Sequence, residues 1–110
     1  MAIAEAPAPQ RLRALEQANR VRSGRARLKR EIATGAVTAA EVIERCPHEA
    51  ETMAIGELLR SQPRWGPARC SRLLLSTGIS DGRPLAALTE RQRRDVVARL
   101  RSRVRARFPL

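Results

Sequence analysis

The sequence predicts an all-α fold, and three observations support that prediction. The 110-residue chain contains 18 alanines, the residue type with the highest helix propensity. No segment alternates apolar and polar residues in the way that a half-buried strand does. Helix-capping signals recur along the chain, at Thr38, Gly66 and Thr89. The length permits one compact domain, so we expect a small helical bundle with a single core.

The N-terminal part is predicted to be a short leader followed by a long basic helix. Residues 1–9 combine Ala and Pro with one acidic side chain, which is typical of a flexible leader. Residues 10–34 contain eight basic and two acidic side chains, no proline, and apolar residues close to helical spacing. These apolar residues are sparse near the start. We therefore expect the first half of this helix to project and the second half to pack on the core.

Two short helices are predicted in the middle of the chain, where acidic residues prevail. Thr38 is the capping residue of a helix over about 39–45, which Cys46-Pro47 ends. A second helix covers about 55–61. Residues 35–61 contain five acidic and two basic side chains, so this segment is expected to face away from a polyanion.

The C-terminal half is predicted to contain two longer helices. Gly66-Pro67 supplies a cap and a proline at the first position of a helix over 67–77, and Gly78 ends it. Thr89, with a glutamine three residues later, caps a final helix over about 89–107. The apolar stripe of this helix comprises Val97, Leu100, Val104 and Phe108, and the arginines broadly opposite it are Arg91, Arg94, Arg101 and Arg105.

The charge of the chain indicates a polyanionic partner. The formal net charge is +11, and 21 of the 22 basic side chains are arginines, which suit bidentate contact with phosphate. The excess lies in two blocks, +6 over residues 10–34 and +9 over residues 62–110. With one Trp, one Phe and no Tyr, the chain lacks the paired aromatic residues on which RNA-recognition sheets and oligonucleotide-binding barrels stack bases. Those modules are excluded.

Several other classes of protein are excluded by what the sequence lacks. The longest aliphatic run is Leu73-Leu74-Leu75, far short of the roughly 18 residues of a membrane span. The first ten residues have no basic region followed by an apolar stretch, so we expect no secretory signal and a cytoplasmic protein. Cys46, His48 and Cys70 are too few for a zinc site. Cys46 and His48 could form a nucleophile pair, but two reduced, packed thiols are the favoured interpretation.

Residues 53–83 carry the most informative pattern. Two predicted helices flank a tight turn rich in Pro and Gly, and the second of them is basic. A helix N-terminus attracts phosphate because its first amides lack partners and its dipole is positive there, and Arg69 and Arg72 lie in the first turns. Such a site would contact the nucleic-acid backbone and not the bases. On spacing alone, an ordinary helix connection with solvated arginines is the alternative.

A set of positions in this segment has a recognisable order. It comprises Leu58-Leu59-Arg60-Ser61, Pro63, Gly66, Arg69 and Gly78-Ile79-Ser80. In these residues the chain resembles the actinobacterial type of integration host factor, whose helix-two-turn-helix motif they match, and the similarity extends from the basic N-terminal helix to the final helix. The resemblance implies a nucleoid-associated protein that binds duplex DNA with little sequence preference, bends it and influences its supercoiling.

The chain departs from the family pattern at two places. Where the family reads Gly-x-Gly followed by a basic residue, this chain has Arg64-Trp65-Gly66-Pro67, and Pro67 removes one N–H donor. Where relatives have an arginine-rich turn ending in Gly-Leu-Gly, residues 83–89 keep only Arg83. We expect the final helix to take over part of that phosphate contact through Arg91, Arg93 and Arg94.

The resemblance and the charge pattern together predict a DNA-binding surface. It comprises Arg64, Trp65, Gly66, Pro67, Ala68, Arg69, Arg72, Arg83, Arg91, Arg94, Arg20 and Arg27. Trp65 has two interpretations: a wedge or stacking residue that touches DNA, or a plug that packs the hairpin onto Leu59 or Leu73, which is favoured. The leucine run 73–75 is interpreted as core. For the arginines of residues 99–107, a solvated helix face and a second DNA contact both stay open.

We therefore predict a protein that is not an enzyme and that binds double-stranded DNA through the phosphate backbone. An RNA-binding, ribosome-associated protein is the alternative, because a bacterial small-subunit ribosomal protein uses a similar motif with a basic tail. A DNA-repair enzyme is disfavoured, because the acidic residues cluster in the segment expected to face away from DNA. We expect a monomer in the cytoplasm and nucleoid, with no cofactor, no metal, no membrane association and no small-molecule substrate.

Overall fold

A computed structural model describes residues 8–107, with side chains up to residue 102, and has an all-α architecture. The helices are α1 (Ala8–Thr34), α2 (Ala39–Arg45), α3 (Ile55–Arg60), α4 (Pro67–Thr77) and α5 (Glu90–Arg107), with short 3₁₀ helices at His48–Ala50 and Leu85–Ala87. Between residues 8 and 107 the β structure amounts to one isolated bridge, which joins Ala54 and Pro84. The predicted fold class is confirmed. Residues 1–7 of the predicted leader lie outside the described residues, and its last two residues belong to α1.

Only the C-terminal half of α1 packs on the rest of the molecule. Leu28 and Ile32 are buried, whereas Leu12 and Leu15 are 59% and 60% exposed. The Cα positions extend over 71 × 28 × 23 Å, and their radius of gyration is 17.1 Å. A compact domain of this length would have a radius of gyration of about 13 Å. Residues 8–23, which we call the arm, lie outside the core; Gln17 contacts His48 at 3.2 Å, and the residues before it project from the body.

The ends of α2, α4 and α5 are fixed by local capping. The Thr38 hydroxyl accepts a hydrogen bond from the amide of Glu41 at 3.1 Å, which begins α2. Gly78, with φ of 71°, closes α4 in the left-handed conformation that glycine adopts most readily. At the start of α5, the Thr89 hydroxyl accepts from the Gln92 amide at 3.1 Å, and the Gln92 side chain accepts from the Thr89 amide at 2.9 Å.

A single core joins the helices. Its fully buried side chains are Ile43, Met53, Ile55, Leu58, Leu59, Cys70, Leu85 and Val96. Val97 and Leu100 are buried as the predicted stripe of α5 requires, while the side chain of Val104 and residue Phe108 lie outside the described part. Val96, which the predicted stripe omits, is fully buried as well. In the leucine run, Leu73 and Leu74 belong to the core and Leu75 is 81% exposed.

The first 3₁₀ helix crosses α1 closely at Gly24. Gly24 is buried, and a Cβ placed on it would lie 2.6 Å from Cγ and 2.7 Å from Cβ of Glu49. Both distances are too short for any side chain larger than hydrogen. The absence of a side chain at Gly24 therefore sets how closely the His48–Ala50 segment approaches the base of the arm.

Candidate nucleic-acid interface

The turn between α3 and α4 is closed by a series of hydrogen bonds. The amides of Ser61 and Gln62 donate to the carbonyls of Leu58 and Leu59 at 3.1 and 3.2 Å, and the Trp65 amide donates to the Gln62 carbonyl at 3.2 Å. The Gln62 side-chain amide adds a bond to the Leu59 carbonyl at 3.0 Å. The turn is thus well defined, and it determines where α4 begins.

Arg64 occupies the tip of this turn in a conformation that disfavours side chains. Its φ is 69°, in the left-handed region, where a residue with a Cβ costs about 1–2 kcal/mol relative to glycine. Gly66, in contrast, has extended backbone with φ of −78° and does not need to be glycine for conformational reasons. The strained position is the one at which the family pattern has the first glycine of Gly-x-Gly. An exposed arginine therefore stands where the backbone favours glycine.

The first turn of α4 brings the central predicted residues together. Gly66 provides no side-chain cap and Pro67 has no N–H, so the amides that follow are the ones available at this helix start. Arg72 is exposed, and Arg69 is half-buried with its guanidinium carbon 4.1 Å from the centre of the Trp65 ring. Trp65 is itself half-buried and packs against the core, which agrees with the plug interpretation. Ala68 is exposed beside them.

The loop after α4 folds back onto α3. The amides of Ile55 and Gly56 donate to the carbonyls of Arg83 and Asp81, each at 2.9 Å. A Cβ on Gly56 would overlap the Asp81 carboxylate, so a side chain at this position would displace that carboxylate. That carboxylate accepts a hydrogen bond from Arg60 at 2.6 Å, and this bond raises the pKa of the Arg60 guanidinium. The loop and the hairpin are therefore joined by two backbone hydrogen bonds and one ion pair.

Arg83 is less exposed than a residue of the predicted DNA-binding surface is expected to be. Its guanidinium donates to the carbonyl of Ala87 through Nε at 3.3 Å and through Nη2 at 3.0 Å, and the residue is half-buried. Two of its donors thus stabilise the connection to the second 3₁₀ helix.

The arginines near the start of α5 differ in their surroundings. Arg91 and Arg94 are exposed, and Arg94 lies 4.0 Å from Glu90. Arg93, which we expect from the sequence to contact phosphate, instead donates to the carbonyls of Ile43 at 2.6 Å and Leu85 at 3.3 Å. The structure thus corrects the expectation for Arg93, because its guanidinium is used to hold α5 against the body.

On α1, the two predicted residues face the 3₁₀ helix at His48–Ala50. Arg20 donates to the side chain of Gln17 at 3.0 Å, and Arg27 pairs with Glu49 at 3.4 Å. Both arginines line a shallow groove that His48 and Glu49 also border. Any phosphate bound by Arg27 would therefore lie close to the Glu49 carboxylate.

The acidic segment, residues 35–61, compensates part of the positive charge of the basic helices. Its carboxylates pair with basic side chains of α1 and α5, in the pairs Arg27–Glu49, Lys29–Glu57 and Arg101–Glu44. These ion pairs reduce the charge that α1 and α5 can offer to a polyanion, and the orientation of the segment away from a polyanion stays a prediction. On α5, Arg99 is likewise paired, with Asp95 at 3.0 Å.

A subset of the arginines keeps its charge uncompensated within the described residues. Two properties are shared by eight of the described arginines: they are exposed, and no described carboxylate lies within ion-pair distance of them. These are Arg13, Arg20, Arg22, Arg30, Arg45, Arg64, Arg72 and Arg91. Arg22 and Arg30 are absent from the residues that the sequence singles out. Both lie in the basic block of residues 10–34, and that block is the signal that could have found them.

Other kinds of site find little support in the described part of the chain. There, no group of three or more His, Cys, Asp or Glu side chains is arranged to hold a metal ion. Cys70 is buried, which raises the pKa of its thiol, and Cys46 is half-buried. No helix within residues 8–107 has the length and apolar character needed to cross a bilayer.

The fold and the site define a class of small all-α protein in which a helical hairpin, flanked by exposed arginines, lies beside a projecting basic helix. The chain is similar to sIHF, an integration host factor whose structure was solved bound to an 8-bp palindromic DNA. The TM-score is 0.67 and the sequence identity 26%, over 80% of this chain and 97% of sIHF. No protein-family model and no curated protein matches the chain. The resemblance to integration host factor is confirmed by the structural similarity.

Proposed function

We propose that this protein is an architectural protein of the nucleoid that binds double-stranded DNA through its phosphate backbone, with little sequence preference, and bends it. The observation that carries the proposal is the similarity of fold, over most of the chain, to a protein solved in complex with DNA. As proposed, the protein acts as a monomer in the cytoplasm, influences DNA supercoiling and catalyses no reaction.

The hairpin supplies the first DNA contact in this proposal. Arg64 and Arg72 flank the start of α4, where the helix dipole favours an anion, and neither has a carboxylate partner among the described residues. Arg69 lies between them on the first turn of the helix. Phosphate contacts of this kind fix the position of the protein on the duplex without reading its sequence.

The basic helix α1 and the start of α5 supply further contacts. Arg22 and Arg30 on α1 are exposed, as are Arg91 and Arg94 on α5. The molecule is 71 Å long, which is about two turns of B-DNA at roughly 34 Å per turn. Phosphate contacts on three separate parts of the molecule can hold a duplex in a bent path, and the bending cost is offset by the additional contacts.

DNA binding is tested by fluorescence anisotropy with short labelled duplexes of unrelated sequence. The variant Arg72→Gln is expected to bind all of them more weakly and by the same factor, because it removes a phosphate contact and no base contact. Arg45→Gln is the matched control, since Arg45 is also exposed but lies on α2 in the acidic segment. Equal losses for the two variants would contradict the proposed surface, and a loss confined to one sequence would indicate base readout.

The same assay distinguishes DNA from RNA as the partner. Unlabelled structured RNA and unlabelled duplex DNA compete for the protein at equal phosphate concentration. If excess duplex DNA fails to displace the protein from RNA, the proposal for DNA is wrong.

Bending is tested separately by ligation of short linear duplexes into circles. Below the persistence length of about 150 bp, a duplex closes slowly unless a protein bends it. The protein is expected to increase the rate of circle formation at concentrations that saturate binding. Binding without faster closure would leave a DNA-binding protein but remove its architectural role.

A further inference from the structure

Trp65 and Arg69 form a stacked pair at the start of α4. Trp65 is the chain's sole tryptophan and comes directly after the strained Arg64. The Arg69 guanidinium carbon lies 4.1 Å from the centre of the indole ring, within the range of a cation–π contact. Because the indole packs against the core, the body of the protein holds the ring in place.

A stacked guanidinium differs from a solvated one in a way that matters for binding. An unrestrained arginine side chain loses rotamer freedom when it binds a phosphate, which weakens affinity about two- to twelvefold. Stacking on a fixed ring restricts that freedom in advance, while the N–H donors stay on the edge of the planar group and can contact phosphate oxygens. Arg72 is more exposed than Arg69 and lies further along α4.

We infer that Trp65 is a positioning residue for DNA binding, whose indole holds the Arg69 guanidinium ready to contact a phosphate at the start of α4. The inference rests on the proposed function. It adds that the two side chains act as a pair, in which Trp65 orders the guanidinium and Arg69 makes the phosphate contact. In this arrangement Trp65 acts through Arg69, and its ring is not inserted between bases.

A double-mutant cycle tests the inference, with DNA affinity measured by anisotropy for the wild type, Trp65→Leu, Arg69→Ala and the double variant. Trp65→Leu is expected to weaken binding about three- to tenfold, because the released Arg69 side chain must then be ordered on binding. In the Arg69→Ala background the same substitution should change affinity less than twofold. The control cycle combines Trp65→Leu with Arg72→Ala, and the effects of these two substitutions on affinity should multiply. Full multiplication of effects in the Arg69 cycle would overturn the inference.

A second comparison leaves the core untouched, in case Trp65→Leu does not fold. Lysine keeps the charge of arginine but cannot stack its planar face on a ring. Arg69→Lys is therefore expected to weaken binding by about the same factor as Trp65→Leu, while Arg45→Lys, on α2 outside the proposed surface, should stay within twofold of the wild type. Equal effects of the two lysine variants would contradict a positioning role for Trp65.

Tryptophan fluorescence provides a readout that reports on the pair directly. DNA binding should change the emission of Trp65 in the wild type and in Arg72→Ala, and this change should disappear in Arg69→Ala at saturating DNA. An unchanged response in Arg69→Ala would also overturn the inference. If the wild type itself binds no duplex DNA, the proposed function fails. If it binds but shows no coupling between the two residues, only the positioning role fails.

Discussion

At the scale of single residues, Arg64 shows a conflict between stability and charge. Its φ of 69° favours glycine, whereas its exposed guanidinium is available for phosphate. Arg64→Gly should therefore raise the free energy of unfolding by about 1 kcal/mol, because the left-handed strain is relieved. The same variant should bind DNA more weakly, because one positive charge is lost. Thermal denaturation and anisotropy measure the two effects on the same sample.

Arg64→Asn is a useful companion to the glycine variant. Asparagine tolerates the left-handed conformation better than most residues with a side chain, and it is uncharged. It should lose as much DNA affinity as Arg64→Gly and gain less stability. A lower melting temperature for Arg64→Gly would show that the positive φ is not a source of strain.

Arg93 and Arg94 are neighbours with opposite roles. Arg93→Met should destabilise the fold by about 1–3 kcal/mol, because the carbonyls of Ile43 and Leu85 lose their donor. Where both variants are folded, it should leave DNA affinity nearly unchanged. Arg94→Met should leave the free energy of unfolding nearly unchanged and weaken DNA binding, since Arg94 is exposed and its nearest acidic partner is 4.0 Å away. Chemical denaturation measures the free energy of unfolding of each variant, and anisotropy measures its DNA affinity. Equal changes in the two variants would contradict these assignments.

The roles of these two arginines could not be predicted from the sequence. Both stand in one basic run at the start of α5, and propensity and spacing treat them alike. The acceptor of the Arg93 guanidinium, the carbonyl of Ile43, is 50 positions away along the chain. Local sequence holds no information about such a contact, which exists only once α2 and α5 have packed together.

At the scale of elements, the position of the first 3₁₀ helix depends on Gly24. In an exposed helix, Gly→Ala would stabilise by about 1 kcal/mol. In α1 the added methyl would collide with Cβ and Cγ of Glu49, and overpacking of this kind costs about 1–3 kcal/mol. Gly24→Ala should thus be net destabilising, by about 1 kcal/mol in thermal or chemical denaturation.

Ser23→Ala is the matched control for this element. Ser23 is the preceding residue on α1 and is exposed, so its replacement should be neutral or slightly stabilising. If Gly24→Ala stabilised the protein as well, the His48–Ala50 segment could not be held against α1 as closely as the structure shows.

Most helices could be anticipated from the sequence because their ends are determined locally. Thr38, Gly78 and Thr89 act on backbone groups within a few residues of themselves, and the observed helices begin or end beside them. The two 3₁₀ helices have no comparable local signal. Their positions follow from contacts with distant parts of the chain, such as Glu49 against Gly24, and they were missed for that reason.

At the scale of the whole molecule, the net charge of +11 overstates the charge that is available to a partner. Ion pairs with acidic side chains occupy Arg27, Lys29, Arg60, Arg99 and Arg101, so part of the positive charge is compensated within the fold. The distribution of charge along the sequence could be predicted. Its compensation could not, because each of these pairs except Arg99–Asp95 joins residues on different elements.

The salt dependence of binding measures how many of these charges meet phosphate. If about six of the exposed arginines each neutralise a phosphate, the slope of log K against log salt is about −5. The slope should be nearly the same for unrelated duplexes. Arg64→Gln combined with Arg72→Gln should reduce its magnitude by about 2, since each phosphate contact contributes about 0.9. Glu44→Gln combined with Arg101→Gln keeps the net charge and should leave the slope unchanged, because that pair is already neutral within the fold. A slope near zero would show that phosphate contacts do not drive binding.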